Sequence, residues 1–134
     1  MQVVIITGAS DGIGAEMARQ LAETGRNQIA LVLAARSADK LEHVAASCRS
    51  HGAQVLVLPT DVSEQAACRA LIDATVKSYG RIDLLINNAG ISAHALLDEV
   101  TDLGWYEQLM RINLWGSIWC THAELPYLKA SRGR

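Results

Sequence analysis

The sequence predicts an α/β fold on a doubly wound parallel sheet, incomplete at four strands and about four helices. Three observations predict it. Strand-like runs at residues 3–7, 29–35, 54–58 and 82–87 recur between longer segments of helical spacing. These runs are continuously β-branched or leucine-rich rather than alternating, as strands covered on both faces are. A glycine-rich turn also stands directly between the first strand and the first helix. Strand and helix alternating at such short range imply right-handed crossovers and hence parallel strands.

The first unit is Val3-Val4-Ile5-Ile6 followed by Thr7-Gly8-Ala9-Ser10-Asp11-Gly12-Ile13-Gly14. Gly8 can take backbone angles that a side chain would forbid. Gly12 allows a phosphate to approach the main chain, and Gly14 allows the new helix to lie close on the strand. Free N–H groups and the positive end of the helix dipole would then face an anion. Ile13, Met17, Ala18 and Leu21 continue as a helical stripe, which separates this pattern from a plain turn. The expectation is a Rossmann-like seat for a nucleotide diphosphate, formed by Gly8, Ser10, Asp11, Gly12, Ile13 and Gly14.

After the second strand stand Ala35, Arg36 and Ser37, where a dinucleotide fold reads the adenosine ribose. An acid there would suit NAD. A guanidinium beside a hydroxyl suits the 2′-phosphate of NADP instead. NADP(H) is therefore expected over NAD(H), a solvated Arg36 at a helix start being the alternative. Ser37 is placed to cap the second helix, whose stripe is Leu41, Val44, Ala45 and Cys48.

The third strand leads into Asp61-Val62, and the fourth into Asn87-Asn88-Ala89-Gly90. Both lie at carboxyl ends of parallel strands, where open α/β sheets bind ligands. Asp61 either accepts the adenine amino proton or caps the helix beside it. Asn88, Ala89 and Gly90 would pass close to a ribose, with the amides of the Asn pair satisfying backbone groups where strands splay. Ser63 is expected to cap the third helix, carried by Cys68, Leu71, Ile72 and Thr75. Gly25, Gly52 and Gly80 stand where the first three helices should stop.

The last helix is expected over residues 102–125. Tyr106, Leu109, Met110, Asn113 and Ser117 share one face, and Ile112, Trp115 and Trp119 another. A helix apolar on two faces is either deeply buried or shared with a partner chain. Asn113 is the odd polar member, and an amide on a buried face must find partners.

Composition narrows the classes. With 134 residues, half of them apolar, the chain supports one domain with a real core. Net charge is −2 with scattered cations, so neither nucleic acid nor a membrane surface is an expected partner. No basic leader or cleavage site precedes the first strand. Cys48, Cys68 and Cys120 are odd in number and widely spaced, which reads as buried free thiols in a reducing cytoplasm. His43, His51, His94 and His122 show no metal-ligand spacing, and no metal site is expected.

Taken together, the segments at 7–14, Arg36-Ser37, Asp61-Val62, 87–90, Arg111-Ile112-Asn113-Leu114-Trp115-Gly116 and Leu125-Pro126 resemble the short-chain dehydrogenase/reductase family over the whole chain. The resemblance implies hydride transfer between NADP(H) and a carbonyl or secondary alcohol. It also implies that Asn113 is the helix member of a catalytic tetrad, holding a water for proton relay. The family's serine and Tyr-x-x-x-Lys pair have no match. Four residues beyond Tyr79, Tyr106 and Tyr127 stand Asp83, Met110 and Ser131, and Tyr127 with Lys129 has the wrong spacing.

The expectation is a single, C-terminally truncated dinucleotide-binding domain over residues 1–134, supplying the coenzyme half of an oxidoreductase and inactive alone. Residues 129–134 would be a solvent turn, and Leu84-Leu85-Ile86 a bare apolar edge. The Trp-bearing helix would join copies in a homo-oligomer. A non-catalytic NADP(H)-binding module or an inert fragment is the alternative.

Overall fold

In the computed structural model, which describes residues 1–134, the strands are β1 (Gln2–Thr7), β2 (Ile29–Ala35), β3 (Gln54–Pro59) and β4 (Leu84–Ile86). All pair in parallel, in the order β3-β2-β1-β4. The chain winds outward from β1 to β3, then returns to the far side of β1. That reversal opens a crevice between the carboxyl ends of β1 and β4.

Side chains alternate across the sheet, so Val4, Ile6, Leu31 and Leu33 pack on one face and Val3, Ile5, Ala30 and Val32 on the other. Helices α1 (Gly12–Gly25) and α2 (Ala38–Ser50) cover the first face with Ala15, Ala18, Leu41 and Val44. Helices α3 (Gln65–Tyr79) and α5 (Gly116–Ser131) cover the second with Leu71, Ile72, Cys120 and Ala123. Each fully buried Val, Leu or Ile contributes about 1.5–3 kcal/mol. Burial on both faces is why the strands read as continuous apolar runs. No helix is long and apolar enough to cross a membrane.

Several local expectations change. β4 begins at Leu84 because Asp83 spends its side chain on the neighbouring strand, its carboxylate accepting from the Val3 N–H at 2.8 Å. It stops at Ile86 because the Asn88 N–H turns back to the Ile86 carbonyl at 3.0 Å. Its outer edge is not wholly bare. The Arg134 N–H donates to the Asp83 carbonyl, and the Leu85 N–H to the Arg134 carbonyl, both at 2.9 Å.

Ser63 does not cap α3, which starts behind Glu64 with no side-chain cap. The Ser63 N–H and hydroxyl instead donate to Asp61 Oδ1 at 2.9 and 2.7 Å. Ser37 does cap α2, accepting from the Lys40 N–H at 3.4 Å. Gly80 ends α3 in the left-handed region, but Gly25 is helical and the turn falls on Arg26, at φ 47°. At Gly25 a Cβ would press on the Ile29 side chain at 2.8 Å, so clearance explains that glycine better than backbone freedom.

The last helix is longer than expected and is not uniform. It runs as α4 (Gly104–Met110), a π-helical turn (Arg111–Trp115) and α5, passing through Pro126 to Ser131. Half of the expected solvent turn, residues 129–131, is therefore helix. Its end is fastened by the Ser131 hydroxyl donating to the Ile82 carbonyl and by the packing of Tyr127 and Leu128. These contacts offset the donor that Pro126 lacks. Ile112, Gly116, Cys120 and Ala123 face the core, whereas Met110, Leu114, Trp115, Ile118 and Leu125 remain exposed. Asn113 is also exposed, correcting its expected place on a buried face.

Candidate functional site

The glycine turn sits at the carboxyl end of β1. Gly8 and Gly12 have φ of +66° and +53°, a region that a side chain strains. Gly14 serves by size. A Cβ there would run into the Gly8 carbonyl and come within 2.5 Å of Asn88 Nδ2. The turn is clamped from β4: Asn88 Nδ2 donates to the Thr7 and Gly8 carbonyls at 3.1 Å. Thr7 Oγ1 accepts from the N–H groups of Asn88 and Ala89 at 3.1 and 3.0 Å. Bonds between these two strand ends fix the mouth of the crevice.

A cavity of about 410 Å³ lies against this turn. Gly8, Ser10, Asp11, Gly12 and Ile13 form one wall, Arg36, Ser37 and Lys40 the second, Asp61 and Val62 the third, and Asn88, Ala89 and Gly90 the fourth. Twelve of the thirteen expected coenzyme-site residues therefore meet at one place, and Gly14 stands directly behind them. Asp11 makes no side-chain cap to α1, and Ile13 is 74% exposed. The first N–H groups of α1 are thus left without protein partners on this side. That is the donor set an anionic diphosphate requires, with two cations nearby, so the residues fit a dinucleotide.

Lys40 carries no sequence signal of its own. It reaches the cavity because the first turn of α2 sets it beside Arg36 and Ser37, with Nζ 3.7 Å from Asp11 Oδ2. Asp61 has one oxygen engaged by Ser63. Those bonds, aided by Arg36, hold its carboxyl below the usual carboxylate value and keep it ionised.

Asn113 is not on the cavity wall but buttresses it. Its Oδ1 accepts from the Ile91 N–H, and its Nδ2 donates to the Ile91 carbonyl, each at 2.8 Å. Ile91 and the neighbouring Ile112 line the cavity, neither of them expected from sequence. Such π-turns recur at functional sites, and this one places Asn113 against the chain leaving β4. Just beyond Ile91, Ala93, His94, Ala95 and Leu96 join Glu99, Trp105, Tyr106 and Leu109 around a second, shallow and open depression of about 490 Å³.

Cys48, Cys68 and Cys120 are buried free thiols. Contact with Cys68, burial and the nearby Glu124 push the Cys120 thiol up. Glu124 carried no sequence signal. It is 1% exposed, and its Oε2 has no partner. No group of three or more His, Cys, Asp or Glu side chains is placed to hold a metal ion.

The family model described as short chain dehydrogenase matches residues 2–134. A curated relative, 11-beta-hydroxysteroid dehydrogenase A of Sesamum indicum, is 45% identical over 99% of this chain, which spans 38% of that relative's length. An alcohol dehydrogenase from Thermococcus sibiricus, solved with 5-hydroxy-NADP, superposes with a TM-score of 0.92 at 34% identity, over 99% of this chain and 55% of that one. A metagenomic short-chain oxidoreductase solved with NADP gives 0.90 at 31% identity, over 98% and 58%.

Proposed function

The chain belongs to the short-chain dehydrogenase family, and we propose that it supplies the coenzyme half of an NADP(H)-dependent oxidoreductase acting on a carbonyl or secondary alcohol. The observation that carries this reading is the uncapped start of α1 opening onto a cavity walled by Arg36 and Lys40. Bound there, a nicotinamide coenzyme supplies the hydride donor or acceptor. The N–H groups of the turn, with Ser10, would hold its diphosphate. Arg36, Ser37 and Lys40 would hold the 2′-phosphate through charge-assisted bonds. Asp61, through the oxygen that Ser63 leaves free, and Val62 would meet the adenine. Asn88, Ala89 and Gly90 would line the ribose.

Asn113 would act as the amide of a proton relay. Ile91 uses one lone pair of its Oδ1, which leaves the other for a water. Tyr79, Tyr106 and Tyr127 lack a lysine four residues on, and burial pushes the Tyr79 phenol up rather than down. Residues 1–134 by themselves would therefore hold coenzyme without turning over substrate, as one nucleotide-binding domain.

The hydroxysteroid dehydrogenase names of the relatives support a bulky alicyclic substrate. The exposed Leu114, Trp115 and Ile118 would meet a second copy, and three unpaired thiols suit the cytoplasm. Fluorescence titration with NADPH and NADH tests the central claim. Saturable binding with NADPH the tighter ligand is expected; no binding at millimolar coenzyme ends the proposal.

A further inference from the structure

We propose that Arg111 is a positioning residue that couples the two ends of the crevice, so that the nicotinamide end is ordered against the adenine end. This rests on the coenzyme reading above. Arg111 Nε donates to the Ser63 carbonyl at 3.1 Å, and its guanidinium lies 5.3 Å from the Trp119 ring centre. Ser63 belongs to the adenine side, where Asp61 Oδ1 already accepts both of its donors. Arg111 belongs to the π-turn, whose third residue, Asn113, holds Ile91 at the other end of the crevice.

A second contact joins the same two segments. A Cβ on Gly116, the residue closing the π-turn, would stand 3.0 Å from the Val62 Cβ and carbonyl. The turn is therefore seated flush on residues 62 and 63. Of the two contacts, only the Arg111 bond is directional. The adenine side keeps its own shape, because the Asp61–Ser63 bonds close a local turn that needs no help from Arg111. The π-turn has its own backbone bond, the Gly116 N–H donating to the Arg111 carbonyl, but the Arg111 side chain makes the one side-chain hydrogen bond that ties it to residues 61–63. Loss of Arg111 must therefore fall on the nicotinamide side, where Ile91 and Ile112 form the wall. Trp119 contributes by confining the guanidinium, which lowers the entropy cost of its bond.

The test compares two probes on the 134-residue chain: NADPH, which spans the crevice, and 2′,5′-ADP, which fills only its adenine end. Dissociation constants are measured for the wild type, Arg111→Gln and Arg111→Lys, with far-UV circular dichroism to confirm folding. For Arg111→Gln, about a tenfold loss for NADPH is expected, with less than a twofold change for 2′,5′-ADP. Arg111→Lys keeps a cation over Trp119 and one donor, and should recover part of the loss.

Equal losses for both probes, or no loss for either, would overturn the coupling. If Arg111→Gln does not fold, the lysine variant alone decides, since it too must weaken NADPH more than 2′,5′-ADP. Failure of the wild type to bind 2′,5′-ADP would instead remove the coenzyme reading on which the coupling rests.

Discussion

Asn113 holds Ile91 by both of its backbone polar groups, accepting from the N–H and donating to the carbonyl at 2.8 Å each. An asparagine amide matches a peptide group in this way, and neither aspartate nor alanine can. Asn113→Ala should therefore release the chain leaving β4. Each bond is worth about 0.5–1.5 kcal/mol net, so the Ile91 amide should exchange roughly ten times faster or more. Hydrogen exchange read residue by residue measures this. Unchanged protection at Ile91 would show that the loop is held by other means.

Arg36 should decide between the two coenzymes. Arg36→Asp removes a charge-assisted bond worth ~1.5–3 kcal/mol, or roughly ten- to hundredfold in affinity for NADPH. NADH has no 2′-phosphate and should lose far less. Equal weakening of both coenzymes would take the assignment from Arg36 and leave Lys40 as the cation that reads the phosphate.

Gly14 and Gly12 should fail differently. Alanine at 14 drives a methyl into the Gly8 carbonyl and Asn88 Nδ2, an overpacking expected to cost about 1–3 kcal/mol in urea unfolding. Alanine at 12 meets no atom within 4 Å, but it stands at φ +53°. Its folding penalty should be about 1–2 kcal/mol, with a larger effect on NADPH affinity if the turn holds the diphosphate as proposed. A Gly12→Ala protein that binds NADPH as tightly as wild type would place the phosphates elsewhere.

Glu124 should make the fold lose stability as pH rises from about 4.5 to about 8. Burial pushes its carboxyl from an ordinary 4.5 up to about 8. Between those values the folded chain holds a proton that the unfolded chain has released. Stability from this group is thus full below pH 4.5 and is lost as pH rises towards about 8. The slope is about 1.4 kcal/mol per pH unit where the difference is complete. Glu124→Gln has no proton to lose. Thermal melts across that range should fall for the wild type and run flatter for the variant, and parallel curves would show that Glu124 finds a partner when ionised.

Much of this was legible because it is written in local chemistry. The glycine turn, Arg36-Ser37 and the asparagine pair stand at strand ends, so the element pattern alone gathers them at one crevice. Lys40 was missed because helical phase, not motif, brings it there. Ser63 was misread because a serine before a helix looks like a cap whether or not Asp61 claims its donors. The break in the last helix was invisible, since a π-turn needs no special residue.

By itself the sequence determined the parallel sheet, its two covered faces and the glycine turn at the end of its first strand, because apolar periodicity and glycine act over a few residues. Only the tertiary structure decided that Asn113 grips Ile91, that Arg111 reaches Ser63 and that Glu124 lies buried without a partner. Those relations join positions far apart in the chain, and packing alone sets which donor reaches which acceptor.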